Sequence, residues 1–406
     1  QITETKIDYD QIFEEYLDND WEKTLSENPL FASYTGDKRL NNKINSNSIE
    51  QFIADKSSNE ESLRLLREID PTKLSKENKL NYKLKEFGLL NSIGTQNFPT
   101  YYLRLNQRGG IQSFYETGNR LVYTTKKDYY DWLERLHQFV DNIDNFREIN
   151  KKGLETGHTQ PKLVTRAVIS QIESITSSDI ESNPYLKVFL EADDNILTTS
   201  EKADLINDAK KLIENKINPA YIKLNNFLED EYLPKSRNSI GIKDIPNGKE
   251  YYEFLAKFYT TTSLTPEEIH EIGRKEIQRI RLEMDEIIQS VNWDGDFNSF
   301  LNYLRTSPRF YYDNSEDLFN AYLIMSKTID PLLPKIFKTF PRAPYGVIAI
   351  PDETAPFTTT AYYNSPSPGR PGYFYANLYK PESRPKYEIP VLTVHEAVPG
   401  HHFQIS

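Results

Sequence analysis

Apolar side chains recur every three or four residues through most of the chain, which is the spacing of one face of an α-helix. The clearest run comprises Tyr129, Trp132, Leu133, Leu136, Phe139, Val140 and Ile143. Similar runs occur at residues 12–21, 52–69 and 205–228. The pattern predicts a mainly α-helical protein whose first half is a succession of amphipathic helices.

A helix start with a recognisable cap occurs later in the chain, at Thr265-Pro266-Glu267-Glu268. Threonine is a favoured N-cap, proline suits the first helical position, and a glutamate three residues after the cap completes a capping box. The apolar positions that follow predict a long helix through Ile277, Ile287 and Val291. A further amphipathic stretch spans residues 318–333 and ends in prolines.

Short β-strands are predicted only near the end of the chain. Residues 345–351 and 372–378 are rich in β-branched and aromatic side chains, and turn residues separate the two segments. The sequence therefore predicts a small β layer that directly precedes the final helix.

Proline, glycine, serine and asparagine cluster at residues 234–248, which indicates a candidate boundary. We predict an N-terminal helical part at residues 1–245 and the start of a catalytic part at residues 246–406. The same composition is also typical of a long surface loop within one continuous domain. The Gly109-Gly110 loop at residues 106–110 has neither the spacing nor the strand context of a phosphate-binding loop.

Composition excludes several classes of protein. Hydrophobic residues make up 37% of the chain and charged residues 27%, as in a globular protein, and the net charge is −11. The sequence has no cluster of basic residues that could neutralise nucleic-acid phosphates, so we expect no nucleic-acid partner. The chain has no cysteine, and therefore neither disulfides nor thiolate metal sites. The sequence contains no run of about 18 apolar residues, so it predicts no membrane-spanning helix.

Three of the chain's 6 histidines lie within residues 395–402, and Glu396 directly follows the first of them. Zinc hydrolases use a His-Glu pair followed one helical turn later by a second histidine. Here Pro399 occupies that position. Since proline lacks an N–H and crowds the carbonyl four residues before it, we expect a broken or bulged helix that brings His401 round to His395.

We therefore predict His395 and His401 as zinc ligands and Glu396 as the general base on a zinc-bound water. His402 is an alternative second ligand. The competing interpretation is a surface helix end at which histidines cluster by chance. The remaining histidines, His137, His158 and His270, are interpreted as structural residues.

Several neighbours could contact a substrate. The candidate oxyanion donors are tyrosines close to the motif, namely Tyr362, Tyr363, Tyr373 and Tyr375. Arg370 could receive a substrate carboxylate through its guanidinium fork. The alternatives are ordinary strand packing for the tyrosines and a solvated turn for the arginine.

The segment His395-Glu396-Ala397-Val398-Pro399-Gly400-His401-His402-Phe403-Gln404 resembles the signature of domain-of-unknown-function family 885. The resemblance extends to residues 27–37 and 128–136, to residues 264–270 with Gly273, and to residues 361–363 and 370–377. It implies a bacterial, gluzincin-like zinc metallopeptidase acting on peptides, with a large multi-helix zinc-peptidase-like fold and strands beside the metal-binding helix. It also favours an exported or cell-envelope protein, although a cytoplasmic location stays open.

One departure from the family concerns the third zinc ligand. Family members continue past this motif to a Glu-Gly-Trp segment that resembles the source of a glutamate ligand. We therefore expect the third ligand beyond Ser406, and a truncated chain that by itself binds zinc weakly. The alternative function is a non-catalytic, peptidase-like binding or scaffold protein with an incomplete metal site. Hydrolysis of another amide or an ester also fits the motif, and the sequence leaves the oligomeric state undetermined.

Overall fold

The computed structural model describes residues 7–350, 355–366 and 370–406. Helices dominate these residues, and three short strands form a small sheet. The mainly α-helical class predicted from apolar periodicity is confirmed. The chain divides into two compact units, Gln1–His270 and Glu271–Ser406. The boundary predicted between residues 245 and 246 falls inside the first unit, and the functional division at that point stays a prediction.

Helices form almost all the regular structure of the first unit. In chain order they are α1 (Tyr9–Glu27), α2 (Pro29–Tyr34), α3 (Ile49–Leu66), α4 (Lys76–Gln96), α5 (Tyr115–Arg120), α6 (Lys126–Thr156), α7 (Lys162–Thr176), α8 (Lys187–Leu190), α9 (Thr199–Leu212), α10 (Asn218–Phe227), α11 (Leu233–Lys235) and α12 (Gly248–Thr260). Short turns and 3-10 segments connect them, and the loop predicted at residues 106–110 is present.

The core of the first unit is built around α6, the helix with the strongest predicted pattern. Trp132, Leu136, Phe139 and Ile143 are each at most 1% exposed. They belong to a large apolar cluster with residues of α7, α9 and α10. Full burial of such a side chain stabilises the fold by about 1.5–3 kcal/mol. Burial of this one helix face therefore accounts for much of the unit's stability.

A buried arginine connects α6 to the beginning of the chain. Arg135 is 0% exposed. Its guanidinium donates to the carbonyls of Lys43, Pro29 and Leu40 and to the Ser33 hydroxyl. Burial lowers the pKa of Arg135 to about 10, which still leaves it charged at neutral pH. The segments 27–37 and 128–136, both part of the family resemblance, thus meet through this side chain.

Three π-helical turns lie just before prolines in the described chain. The π-helical turns are Ile213–Ile217, Leu228–Tyr232 and Thr393–Ala397. Each turn contains the residue four positions before a proline, namely Pro219, Pro234 or Pro399. Because proline cannot donate to that residue's carbonyl and its ring crowds it, the helix widens there. The first two turns join α9, α10 and α11 into one continuous helix.

The second unit combines helices with the sheet. Its helices are α13 (Pro266–Ser290), which crosses the division, α14 (Phe297–Thr306), α15 (Ser315–Ile329), α16 (Ile389–Leu392) and α17 (Gly400–Ile405). The strands are β1 (Tyr345–Ala349), β2 (Ala361–Asn364) and β3 (Gly372–Ala376). The strand order is β1-β3-β2, with β3 parallel to β1 and antiparallel to β2. The strands predicted at residues 345–351 and 372–378 are present as β1 and β3, which end at Ala349 and Ala376, and residue 351 lies outside the described residues. Strand β2 was not predicted.

Helix α13 has the predicted cap but an exposed apolar face. The backbone N–H of Thr265 donates to Glu268 at 2.8 Å, and that of Glu268 donates to the Thr265 hydroxyl at 3.2 Å, which completes the capping box. Ile277 and Ile287, however, are 70% and 56% exposed. The capping box and the ion pairs along the helix add local stabilisation that does not depend on burial.

The sheet and α15 enclose the core of the second unit. Phe374 of β3 is 0% exposed and meets the ring of Tyr322 edge-on. Ala397 and Val398, at the end of the third π-helical turn, belong to the same cluster and are equally buried. This packing fixes the position of the segment that carries the histidines.

Candidate metal centre

The segment around the histidines is a helix that is interrupted and then restarts. Helix α16 runs into the π-helical turn Thr393–Ala397, Val398 is extended, and α17 starts at Gly400. The interruption predicted from Pro399 and Gly400 is confirmed. A Cβ atom on Gly400 would lie 1.9 Å from the carbonyl oxygen of His395, so glycine is needed where the two helical segments meet.

The interruption brings three side chains together. One ligand atom each from His395, Glu396 and His401 lie within 4.8 Å of one another. The centroids of the two imidazole rings are 5.0 Å apart, and His401 Nε2 is 3.8 Å from Glu396 Oε2. A regular helix would point these imidazoles in widely different directions at about 100° per residue. Among the described residues, this is the one group of three side chains with metal-ligand spacing.

Gln404 orients one of the candidate ligands. Its Oε1 lies 2.8 Å from His401 Nδ1. When Nδ1 donates this hydrogen bond, the proton is held on that nitrogen and the lone pair of Nε2 is free for a metal ion. Metal-binding histidines ordinarily have such a partner. Sequence reasoning did not assign this role to Gln404, although its position one helical turn after His401 was a usable signal.

His402 has a different environment from its neighbour. It is 3% exposed, and its Nδ1 lies 2.7 Å from the Tyr363 hydroxyl. Its ring packs 5.1 Å from that of Tyr345, and burial lowers its pKa. The structure groups His401, and not His402, with His395 and Glu396. His402 instead anchors the final helix to the sheet.

The sheet register separates the four candidate tyrosines. Tyr363 is paired with the buried Phe374, and both side chains lie on the same face of the sheet. This face packs against the π-helical turn Thr393–Ala397. Tyr362 is paired with Tyr375 on the opposite face, and their rings stack at 4.7 Å. Tyr373 shares that second face, because side chains alternate along β3. Only Tyr363 of the four thus lies beside the histidines.

A glycine on β3 makes room for Tyr363. A Cβ atom on Gly372 would lie 1.8 Å from the Tyr363 hydroxyl oxygen. Burial raises the pKa of Tyr363, so this hydroxyl is protonated at neutral pH. Arg370 is exposed and donates to the Ser365 carbonyl at 2.6 Å, and its charge partly offsets the rise in the Tyr363 pKa. Its predicted contact with a substrate carboxylate stays a prediction.

Comparison with known proteins gives a family. The profile of DUF885, described as bacterial protein of unknown function, matches residues 29–406, and the chain belongs to this family. No curated protein matches the chain.

Two solved structures share the fold. A "putative lipoprotein from Colwellia psychrerythraea" is 24% identical with a TM-score of 0.83, over 98% of this chain and 72% of its own. A "putative lipoprotein of unknown function from Shewanella oneidensis" is 16% identical with a TM-score of 0.68, over 98% of this chain and 71% of its own. No helix in the described parts of the chain is both long and apolar enough to cross a membrane.

Proposed function

We propose that the protein hydrolyses peptide bonds in a zinc-dependent reaction, with short peptides as substrates. His395 and His401 hold the metal ion, and Glu396 is the general base. The observation that carries this proposal is the convergence of these three side chains within 4.8 Å across the broken helix. The resemblance to gluzincin-like peptidases supports the same reaction and a zinc-peptidase-like fold.

The donor atoms suit zinc. Imidazole nitrogens such as those of His395 and His401 are common zinc donors, and Gln404 leaves the appropriate nitrogen of His401 unprotonated. When bound, zinc supplies a Lewis acid that polarises a carbonyl and lowers the pKa of water. The third protein ligand, expected beyond Ser406 from the family resemblance, stays a prediction.

The carboxylate of Glu396 performs the proton transfers. It is half-buried and adjoins His401, so it can accept a proton from the attacking water and deliver it to the leaving amine. Tyr363 is the preferred oxyanion donor among the four tyrosines because of its face of the sheet. Its hydroxyl now contacts His402 Nδ1, and this hydrogen bond would have to be exchanged for one to the substrate.

We further propose that the protein is associated with the cell envelope. The support is the description of both solved relatives as a "putative lipoprotein". Fractionation of cells expressing the natural gene tests this location, and recovery of the protein wholly in the cytoplasmic fraction would refute it.

The hydrolytic proposal is tested on the natural full-length protein, with Glu396→Gln assayed against a mixed peptide library. We expect wild-type protein with zinc to cleave peptides, and the variant to retain zinc while losing at least about a hundredfold in rate, the usual contribution of a general base. The exposed Glu382 provides the control variant Glu382→Gln, which should cleave normally. Full activity of Glu396→Gln would refute the assignment. If neither hydrolysis nor zinc binding is found, the non-catalytic binding protein becomes the better account.

A further inference from the structure

The helix that leads to the histidines is apolar on its outward face. Its inward residues Ile389, Thr393 and Ala397 are at most 4% exposed, whereas Val391 and Val394 are 69% and 44% exposed. An outward helix face in water is ordinarily polar, and a helix that is apolar all round is ordinarily covered on all sides. The two valines therefore leave an apolar surface exposed on this side of the helix.

These valines line the same cleft as the candidate metal ligands. The cleft has a volume of about 720 Å³, and Pro390, Val391 and Val394 form one wall of it, with His395 and His401 also in contact. Among the described residues that line the cleft there is no aspartate, glutamate, lysine or arginine. Val391 lies one helical turn before His395 and on the same face of the helix, so the apolar wall directly adjoins the metal ligands.

We propose that Pro390, Val391 and Val394 form a subsite for an apolar side chain of the substrate, at a residue flanking the cleaved bond. The choice of occupant follows from continuity with the metal centre and from the uncharged lining. The inference rests on the proposed peptidase function, and it narrows the substrate class to peptides with leucine-like or phenylalanine-like side chains beside the cleaved bond.

The expected selectivity follows from the size of the apolar contact. A hydrophobic pocket discriminates by about 10–200-fold for one methylene group. Replacing leucine by serine at the flanking residue removes more apolar surface than that. We therefore expect kcat/KM to fall at least about tenfold for the serine peptide.

The first test compares pentapeptides that differ only at this residue, with the cleaved bond assigned by mass spectrometry. The double variant Val391→Thr/Val394→Thr keeps the shape of both side chains but makes them polar, and it should lose most of the leucine preference while retaining zinc. Val291→Thr is the control, because Val291 is 56% exposed and does not line the cleft. A preference that is absent, or unchanged in the double variant, overturns the subsite.

A second readout does not need hydrolysis. N-acetyl-leucinamide and N-acetyl-serinamide are titrated into the 406-residue chain, and the methyl signals of Val391 and Val394 are followed by NMR. We expect the leucine compound to shift these signals at a concentration at least about tenfold lower. If this occurs in a protein that cleaves no peptide, the subsite stands and the peptidase function fails. Equal responses to the two compounds overturn the subsite.

Discussion

Replacing Gly400 by alanine tests whether the broken helix is what assembles the metal centre. The added Cβ would lie 1.9 Å from the carbonyl oxygen of His395 and 2.4 Å from that of Val394. Ordinary non-bonded contacts between heavy atoms need about 3.5 Å. The backbone of the π-helical turn must therefore withdraw by more than about 1 Å. That movement displaces His395 relative to His401.

The two energetic effects of this substitution have opposite signs. Alanine is favoured over glycine in a helix by about 1 kcal/mol. Overpacking costs about 1–3 kcal/mol, and the upper part of that range applies where the obstructing atoms are backbone. We expect a net loss of about 1–2 kcal/mol in the free energy of unfolding, together with zinc binding weakened at least about tenfold.

The assay is urea-induced unfolding combined with competition for zinc against a chelating dye. Gly273→Ala provides a matched control, because Gly273 lies in α13 and a Cβ there would meet nothing within 4 Å. That variant should gain about 0.5–1 kcal/mol, as helix propensity alone predicts. A Gly400→Ala protein that is as stable as wild type and binds zinc equally well would refute the reasoning.

Three further predictions concern side chains near the site and in the first unit. Gln404→Ala should weaken zinc binding by about 10–100-fold in a dye-competition assay with little change in stability, because only the orientation of His401 is lost. An unchanged zinc affinity would contradict the role of Gln404 in orienting His401. Gly372→Ala should lower the thermal unfolding midpoint, because its Cβ would lie 1.8 Å from the Tyr363 hydroxyl oxygen. Adding Tyr363→Phe removes that oxygen and should recover part of the loss. No recovery would show that another contact is responsible. Asp128 has its pKa lowered to about 2, because hydrogen bonds from Lys38 and from the N–H groups of Thr124 and Thr125 outweigh the opposing effect of burial. A lowered pKa stabilises the fold above about pH 4, so Asp128→Asn should cost about 2 kcal/mol in urea unfolding at pH 7, and this difference should disappear as the pH falls towards 2.

Features set by local sequence were the predictable ones. The spacing of apolar residues predicted α6 because a helix with one buried face must have that spacing. The threonine, proline and glutamate at residues 265–268 predicted the start of α13 because a capping box is formed by neighbours in sequence. The absence of an N–H in Pro399 predicted the broken final helix. The same argument applied to Pro219 and Pro234 would have predicted the other two π-helical turns.

Features set by distant contacts were not predictable. Strand β2 has only four residues, and it is a strand because β3 pairs with it. The register of that pair places Tyr363 beside the histidines and turns Tyr362 away. A register depends on which face of the sheet the core covers, and residues 361–364 alone do not show this. Likewise, His401 and His402 are adjacent in sequence, and the position of the sheet beside α17 determines that His402 is the buried one.

The most direct test of the metal centre is the zinc content of the natural full-length protein and of three matched variants, His395→Gln, His401→Gln and His402→Gln, after dialysis against zinc. We predict about one zinc ion per wild-type chain and loss of zinc in the first two variants. His402→Gln should retain zinc, because His402 is hydrogen-bonded to Tyr363 and lies outside the ligand group. Absence of zinc from wild type, or its loss in His402→Gln with retention in His401→Gln, would contradict the proposed site.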